Sequence, residues 1–132
     1  MSAVPTVLVV DDTASIRFLI RTNLELADFE VTEAVDGIDC LEQLRAAADE
    51  GTLPDALTVD EMMPRQGGVE TISAIRADPD LRDLTIVMVT TQNLPADIRR
   101  GLEAGADAYL TKPFDPDDLI ETIQTAIASR RG

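Results

Sequence analysis

The stretch Thr6-Val-Leu-Val-Val-Asp-Asp12 decides the fold. Four consecutive aliphatic residues leave no polar face, as in a strand buried on both sides of a parallel sheet. The run then stops at two carboxylates. The same punctuation recurs along the chain: Ala56-Leu-Thr-Val59 ends at Asp60, Thr85-Ile-Val-Met-Val89 at Thr90, and Ala108-Tyr-Leu-Thr111 at Lys112. In an open parallel sheet the carboxyl ends of the strands border the ligand crevice. Asp11, Asp12, Asp60, Thr90 and Lys112 are therefore expected to converge there. Three carboxylates, a hydroxyl and an ammonium suit a divalent cation and a phosphoryl group held together.

Between the strands the apolar period changes from two to that of a helix. Ile16, Leu19, Ile20 and Leu24 form one stripe over a helix from Ala14 to Leu26, which Asp12 or Thr13 can cap. A weaker strand, Glu30 to Ala34, leads through Asp36-Gly37 to a helix containing Leu41, Leu44 and Ala48. Pro64 and Gly67-Gly68 break the chain before a helix with Val69, Ile72 and Ile75. A fourth helix follows Leu94-Pro95 and stops at Gly105, and the last starts near Asp115-Pro116 with Leu119, Ile120, Ile123 and Ile127. Strands alternating with helices predict an α/β fold: a (βα)5 doubly wound parallel five-stranded sheet with helices on both faces. Residues 1–132 read as a single domain with an ordered core over about 5–130 and no effector domain.

Composition narrows the function. The chain has 45% apolar and 27% charged residues, a globular balance whose scarce aromatics (3%) require an aliphatic core. A net charge of −14 argues against nucleic acid and against anionic membrane surfaces. Cys40 falls in a helical pattern beside Leu41 and Leu44 and reads as a buried spectator. No apolar stretch approaches the roughly 18 residues needed to span a bilayer, and Met1-Ser-Ala-Val-Pro5 lacks the basic region of a signal peptide. A cytoplasmic protein is expected. The absence of histidine removes imidazole acid–base chemistry and most zinc sites.

Each aspartate taken alone could simply cap a helix or turn. The set of five weighs against that. Asp11, Asp12 and Asp60 would repel one another, and a hard cation such as Mg²⁺ with oxygen ligands relieves this. Asp60 is the candidate nucleophile, since a carboxylate can form an acyl phosphate. Lys112 and Thr90 are the candidate donors to phosphoryl oxygens.

With these residues in view, the chain resembles the response regulator receiver domains of bacterial two-component signalling, of the chemotaxis-regulator-like kind. The resemblance rests on Val9-Val-Asp-Asp-Thr-Ala-Ser-Ile-Arg17, Val59-Asp-Glu-Met-Met-Pro64 with Gly68, Val89-Thr-Thr91, and Ala104-Gly-Ala-Asp-Ala-Tyr-Leu-Thr-Lys-Pro-Phe114. The spacings fit too, with 30 residues from Asp60 to Thr90 and 22 from Thr90 to Lys112. It implies a flavodoxin-like strand order 2-1-3-4-5, with Asp60 the phosphoacceptor. It also implies Mg²⁺ held by Asp12 directly, by Asp11 largely through water, by Asp60 and by the backbone carbonyl of Met62. Lys112 would pair with the phosphoryl group, and Thr90 and Tyr109 would act as the switch. Implied partners are a sensor histidine kinase or histidine phosphotransfer protein, and a downstream protein bound through the fourth helix, fifth strand and last helix.

Departures from the common pattern are Thr91, which narrows access to the site, and Gly67, which is expected to loosen the loop after Asp60. Met62 and Gln92, with Thr91, stand where family members tune phosphoryl lifetime. The chain is expected to accept a phosphoryl group and lose it slowly rather than turn over substrate. A haloacid dehalogenase-type phosphatase would need an acid two residues after its nucleophile, where this chain has Met62. The other rival is a phosphate-independent binding module on the same fold. With no effector segment expected, output is protein contact, as a chemotaxis regulator, a phosphorelay intermediate or an adaptor, and as a monomer or a phosphorylation-dependent dimer. No motor-binding surface is identifiable, which favours a relay or adaptor.

Overall fold

The computed structural model describes residues 4–131; Met1 to Ala3 and Gly132, including part of the segment read against a signal peptide, lie outside them. The elements run β1 (Thr6–Val10), α1 (Ala14–Leu26), β2 (Glu30–Ala34), α2 (Gly37–Glu50), β3 (Ala56–Val59), α3 (Gly68–Ala77), β4 (Thr85–Thr90), α4 (Pro95–Ala104), β5 (Ala108–Thr111) and α5 (Pro116–Arg131). All strand pairs are parallel, and the sheet order is β2-β1-β3-β4-β5. The sequence places the fourth strand one residue short, because Thr90 still belongs to it.

Strand alternation divides the core into two layers. Leu8, Val10, Leu57, Val59, Ile86 and Met88 point to the side covered by α2 and α3, against Leu41, Leu44, Ile72 and Ile75. Val7, Val9, Ala56, Val87 and Val89 point to the opposite side, against Ile20 and Leu24 of α1 and Leu119, Ile123 and Ile127 of α5. Each such Val, Leu, Ile or Met side chain contributes about 1.5–3 kcal/mol by leaving water. Leu19, expected on the buried stripe of α1, is 46% exposed. Ile20 and Leu24 already fill the contact, and Leu19 lies off their line. Thr13 takes the N-cap position of α1, but no side chain caps the helix. Its own amide donates instead to Asp11 Oδ1 at 2.9 Å.

Cys40 is fully buried, and burial pushes its thiol up to about 12, so it remains a protonated apolar filler. Thr58 is the misfit of the core, with a buried hydroxyl that has no hydrogen-bond partner among the described residues. It sits in the all-buried strand β3, between Val9 of β1 and Val87 of β4. An unsatisfied buried hydroxyl costs about 1–3 kcal/mol, and valine keeps its shape. Thr58→Val is therefore expected to stabilise the protein by about 1 kcal/mol, read as a higher urea midpoint at unchanged slope. An unchanged or lower midpoint would mean that the hydroxyl is hydrated or bonded in solution.

Candidate phosphoryl and metal site

The site follows from the register. Val10 of β1 lies beside Val59 of β3, so the next residues, Asp11 and Asp60, leave adjacent strands side by side. The Asp60 amide extends the ladder by donating to the Val10 carbonyl at 3.2 Å. On the other flank Thr90 lies beside Thr111, and the Lys112 amide donates to the Thr90 carbonyl at 2.8 Å. The chain therefore delivers Lys112 to the sheet end that carries the aspartates; the peptide bond to Pro113 is cis.

Carboxylate oxygens of Asp11, Asp12 and Asp60 all lie within 4.8 Å of one another. Lys112 Nζ donates to Asp11 Oδ2 at 2.7 Å and to Asp60 Oδ2 at 3.3 Å. Asp11 and Asp60 are buried, whereas Asp12 is exposed and opens the cluster to solvent. Three carboxylates facing one ammonium leave a net negative, all-oxygen pocket, which suits a hard divalent cation. Thr90 is fully buried at the end of β4, and its hydroxyl lies 3.4 Å from the Gln92 amide that donates to it. The Tyr109 hydroxyl donates to the Gln92 carbonyl at 2.7 Å, and burial raises its pKa, reinforced by Asp97 and Glu61. Met62, 59% exposed, receives a contact from the Gln92 side-chain amide at 3.2 Å on its sulfur. Thr91 is exposed at the same rim. A groove of about 740 Å³ opens beside the cluster, lined among others by Asp12, Glu61, Met62, Gln92 and Arg100. The structure thus brings Asp11, Asp12, Asp60 and Lys112 into one cluster, with Thr90 at the end of β4 and Tyr109 joined to the loop that follows it.

The loop after Asp60 is tied down rather than loosened. The Glu61 carbonyl accepts from Gly68 N at 3.2 Å, and its carboxylate accepts from Val69 N at 2.8 Å, at the first turn of α3. A Cβ on Gly68 would lie 2.6 Å from the Asp60 carbonyl oxygen, and one on Gly67 would lie 2.9 Å from that of Glu61. The two glycines let the chain fold back against the site.

Three supports escaped sequence reasoning. Arg17 Nη1 donates to the Asp11 carbonyl at 2.7 Å, and its Nε pairs with Glu33 at 3.0 Å. Arg21 joins the same carboxylate at 2.7 Å and, as the largest cause, holds the Glu33 pKa below its ordinary value. This anchors the acidic turn to α1 and β2. Arg65, in the loop after Asp60, pairs with buried Asp36, which also accepts from Asp39 N as the N-cap of α2. Arg17 stood inside a quoted motif, but nothing in its neighbourhood signalled the distant Glu33.

The Arg65 guanidinium, and then the Asp39 amide, hold the Asp36 carboxyl below its ordinary value of 3.8. A depressed carboxyl contributes stability that is complete above the unfolded value and lost as pH falls through the lower folded one. Asp36→Ala is expected to cost about 1–2 kcal/mol at neutral pH. That difference from the parent should shrink in denaturation curves taken progressively below pH 3.8. A pH-independent difference would show that the ionised cap is not the cause.

Comparisons with known proteins identify the family. Residues 7–124 match the family model described as the response regulator receiver domain. Chemotaxis protein CheY1 of Helicobacter pylori is 33% identical over 123 residues, covering 92% of this chain and 96% of that protein. The phosphate regulon transcriptional regulatory protein PhoB of Escherichia coli is 36% identical over 121 residues, covering 92% of this chain but 51% of that protein. The chain likewise spans about half of the transcriptional regulator RpaA of Synechocystis, 49% of its length at 33% identity. Among solved structures, a putative response regulator from Chloroflexus aurantiacus superposes with TM-score 0.87 at 32% identity, covering 96% of this chain and 99% of that one. CheY4 of Vibrio cholerae superposes with TM-score 0.84 at 33% identity, covering 94% and 99%. The chain belongs to the response regulator receiver domain family of two-component signalling.

Proposed function

We propose that this chain is a phosphorylation-controlled switch in which Asp60 accepts a phosphoryl group from a histidine on a sensor kinase or phosphotransfer protein. The observation that carries the reading is the meeting of Asp60 with Asp11 and Lys112, residues separated by 52 and 101 positions from Lys112 in the chain. Receiver domains bind Mg²⁺ at their acidic pocket, and here Asp11, Asp12, Asp60 and the Met62 carbonyl would hold it. Bound there, the cation supplies charge neutralisation between carboxylates and phosphoryl oxygens. Asp60 presents the attacking oxygen. Lys112, already on Asp60 Oδ2, can follow the incoming charge as a point donor. The Thr90 hydroxyl is the further donor, and catalysis by the protein is mainly positioning.

Tyr109 and Thr90 lie on the same face of the sheet by strand alternation, which supports a coupling of the site to the surface formed by α4, β5 and α5. That surface is the proposed output: Leu94 and Leu102 are 64% and 44% exposed there, beside a groove lined by Pro95, Ile98 and Arg99. A phosphoryl group acts by shifting the population of this face. A complete change, from 1:99 to 99:1, needs about 5.5 kcal/mol of differential stabilisation. The partner is a protein, met by a monomer or by a phosphorylation-dependent dimer. No helix among the described residues is long and apolar enough to cross a membrane, and a cytoplasmic place fits a kinase-fed switch. Slow self-dephosphorylation, rather than turnover of a substrate, completes the reading.

The test is transfer from a phosphohistidine-carrying phosphotransfer domain in the presence of Mg²⁺. The label is expected to move to the parent chain and not to Asp60→Asn. Undiminished transfer to the variant would refute the assignment.

A further inference from the structure

Alanine is the better helix former in a helix interior, so Gly101, buried within α4, needs a reason. A Cβ built there would lie 2.5 Å from Met88 Sδ and 3.1 and 3.2 Å from Cε2 and Cδ2 of Tyr109. The first distance cannot stand, so the flexible Met88 thioether must shift, and the other two, tighter than ordinary contact, crowd the Tyr109 ring. Met88, a residue of β4, is 1% exposed and enclosed by the core, so its displaced thioether and the new methyl both press toward the Tyr109 side. Tyr109 is half-buried on the edge strand β5, directly beside Met88 in the register, and has solvent to move into.

We propose that Gly101 is the seat of the Tyr109 ring, a positioning residue that sets how much of the unphosphorylated protein already has the ring docked. The inference rests on the switch reading above, and it adds what fixes the resting position of Tyr109. In this structure the ring lies across the gap left by Gly101, with its hydroxyl on the Gln92 carbonyl of the loop leaving Thr90. A single added methyl withdraws that seat without touching the carboxylates, Lys112 or Thr90. It therefore moves the switch population independently of the phosphoacceptor chemistry.

The chain supplies its own probe, since it contains one tyrosine and no tryptophan. Intrinsic emission reports Tyr109 alone. Iodide quenching of that emission is to be compared in the parent and in Gly101→Ala, both checked for a cooperative melt. At least about a twofold higher quenching constant is expected in the variant, as the ring shifts toward solvent. Equal quenching in two folded proteins would overturn the proposal.

Should the variant melt too early to assay, a double-mutant cycle in melting temperature answers the same question. Gly101→Ala is expected to be less damaging in a Tyr109→Ala background than in the parent, and additive effects would overturn the seat. Adding Mg²⁺ with beryllofluoride then probes the acceptor separately. Emission that this phosphoryl mimic leaves unchanged in both proteins would count against Asp60 as the controlling site, while the quenching comparison without it still decides Gly101.

Discussion

Replacing Lys112 with methionine is expected to slow phosphoryl acceptance at Asp60 about 10²–10³-fold, the usual loss when one aligned donor to a developing oxyanion is removed. The variant keeps an unbranched side chain one heavy atom shorter and deletes its charge. Lys112 Nζ is the side-chain cation bonded to both Asp11 and Asp60, at 2.7 and 3.3 Å, and its side chain is only 11% exposed. A second consequence accompanies the first. Among the described residues, Asp11 and Asp60, 1% and 7% exposed, would keep only backbone donors, the amides of Thr13 and Met62. Removing one partner of a buried ion pair costs about 3–5 kcal/mol, because the remaining charge is left uncompensated. Added Mg²⁺ should return part of that stability, since a ligand that binds only the folded state stabilises it by mass action. Single-turnover phosphorylation and urea denaturation, each with and without Mg²⁺, separate the two effects. Rates within a factor of about three of the parent would remove Lys112 from the chemistry.

Asp12→Asn is expected to weaken Mg²⁺ binding at least about tenfold, as even indirect supports of a metal ligand commonly carry that much. Asp12 is the exposed member of the cluster, and its one side-chain hydrogen bond among the described residues, from the Thr13 hydroxyl, is long at 3.5 Å. Little in the fold depends on it. The metal-free variant should be as stable as the parent or more stable by a few tenths of a kcal/mol, because one of three mutually repelling carboxylates becomes neutral. The pairing of weaker metal binding with undiminished stability is the signature of a ligand rather than a structural cap. Competition against Mn²⁺ followed by electron paramagnetic resonance gives the first quantity, and a thermal melt at low salt gives the second. Unchanged Mg²⁺ affinity would exclude Asp12 from the metal shell.

What the sequence exposes and what it hides have a common physical origin. Strand ends are legible because an apolar run stopping at a charged residue is a one-dimensional signal, and Asp11, Asp60 and Lys112 each mark such a stop. Their convergence follows once the sheet is parallel. Side chains that act across long separations are not legible in this way. Arg65 reaches Asp36 over 29 residues and Arg17 reaches Glu33 over 16, and neither pairing leaves a periodicity to find. Small residues mislead in the opposite direction. Gly67-Gly68 reads as a flexible break, yet both glycines are required by close approach to the Glu61 and Asp60 carbonyls. Thr58 sits correctly in a buried strand, but only the packed neighbours show that its hydroxyl has nothing to bond. Leu19 fits a helical stripe by spacing, and only the direction in which α1 meets the sheet leaves it in solvent.

The central claim is that one carboxylate, Asp60, carries the phosphoryl group. The most direct measurement is to phosphorylate the protein with acetyl phosphate and Mg²⁺, reduce the acyl phosphate with borohydride, and locate the resulting homoserine by peptide mapping. The expected result is conversion at position 60 alone, dependent on Mg²⁺. Conversion at Asp11 or Asp12 instead, or none at any aspartate after exposure to a phosphohistidine donor as well, would contradict the account.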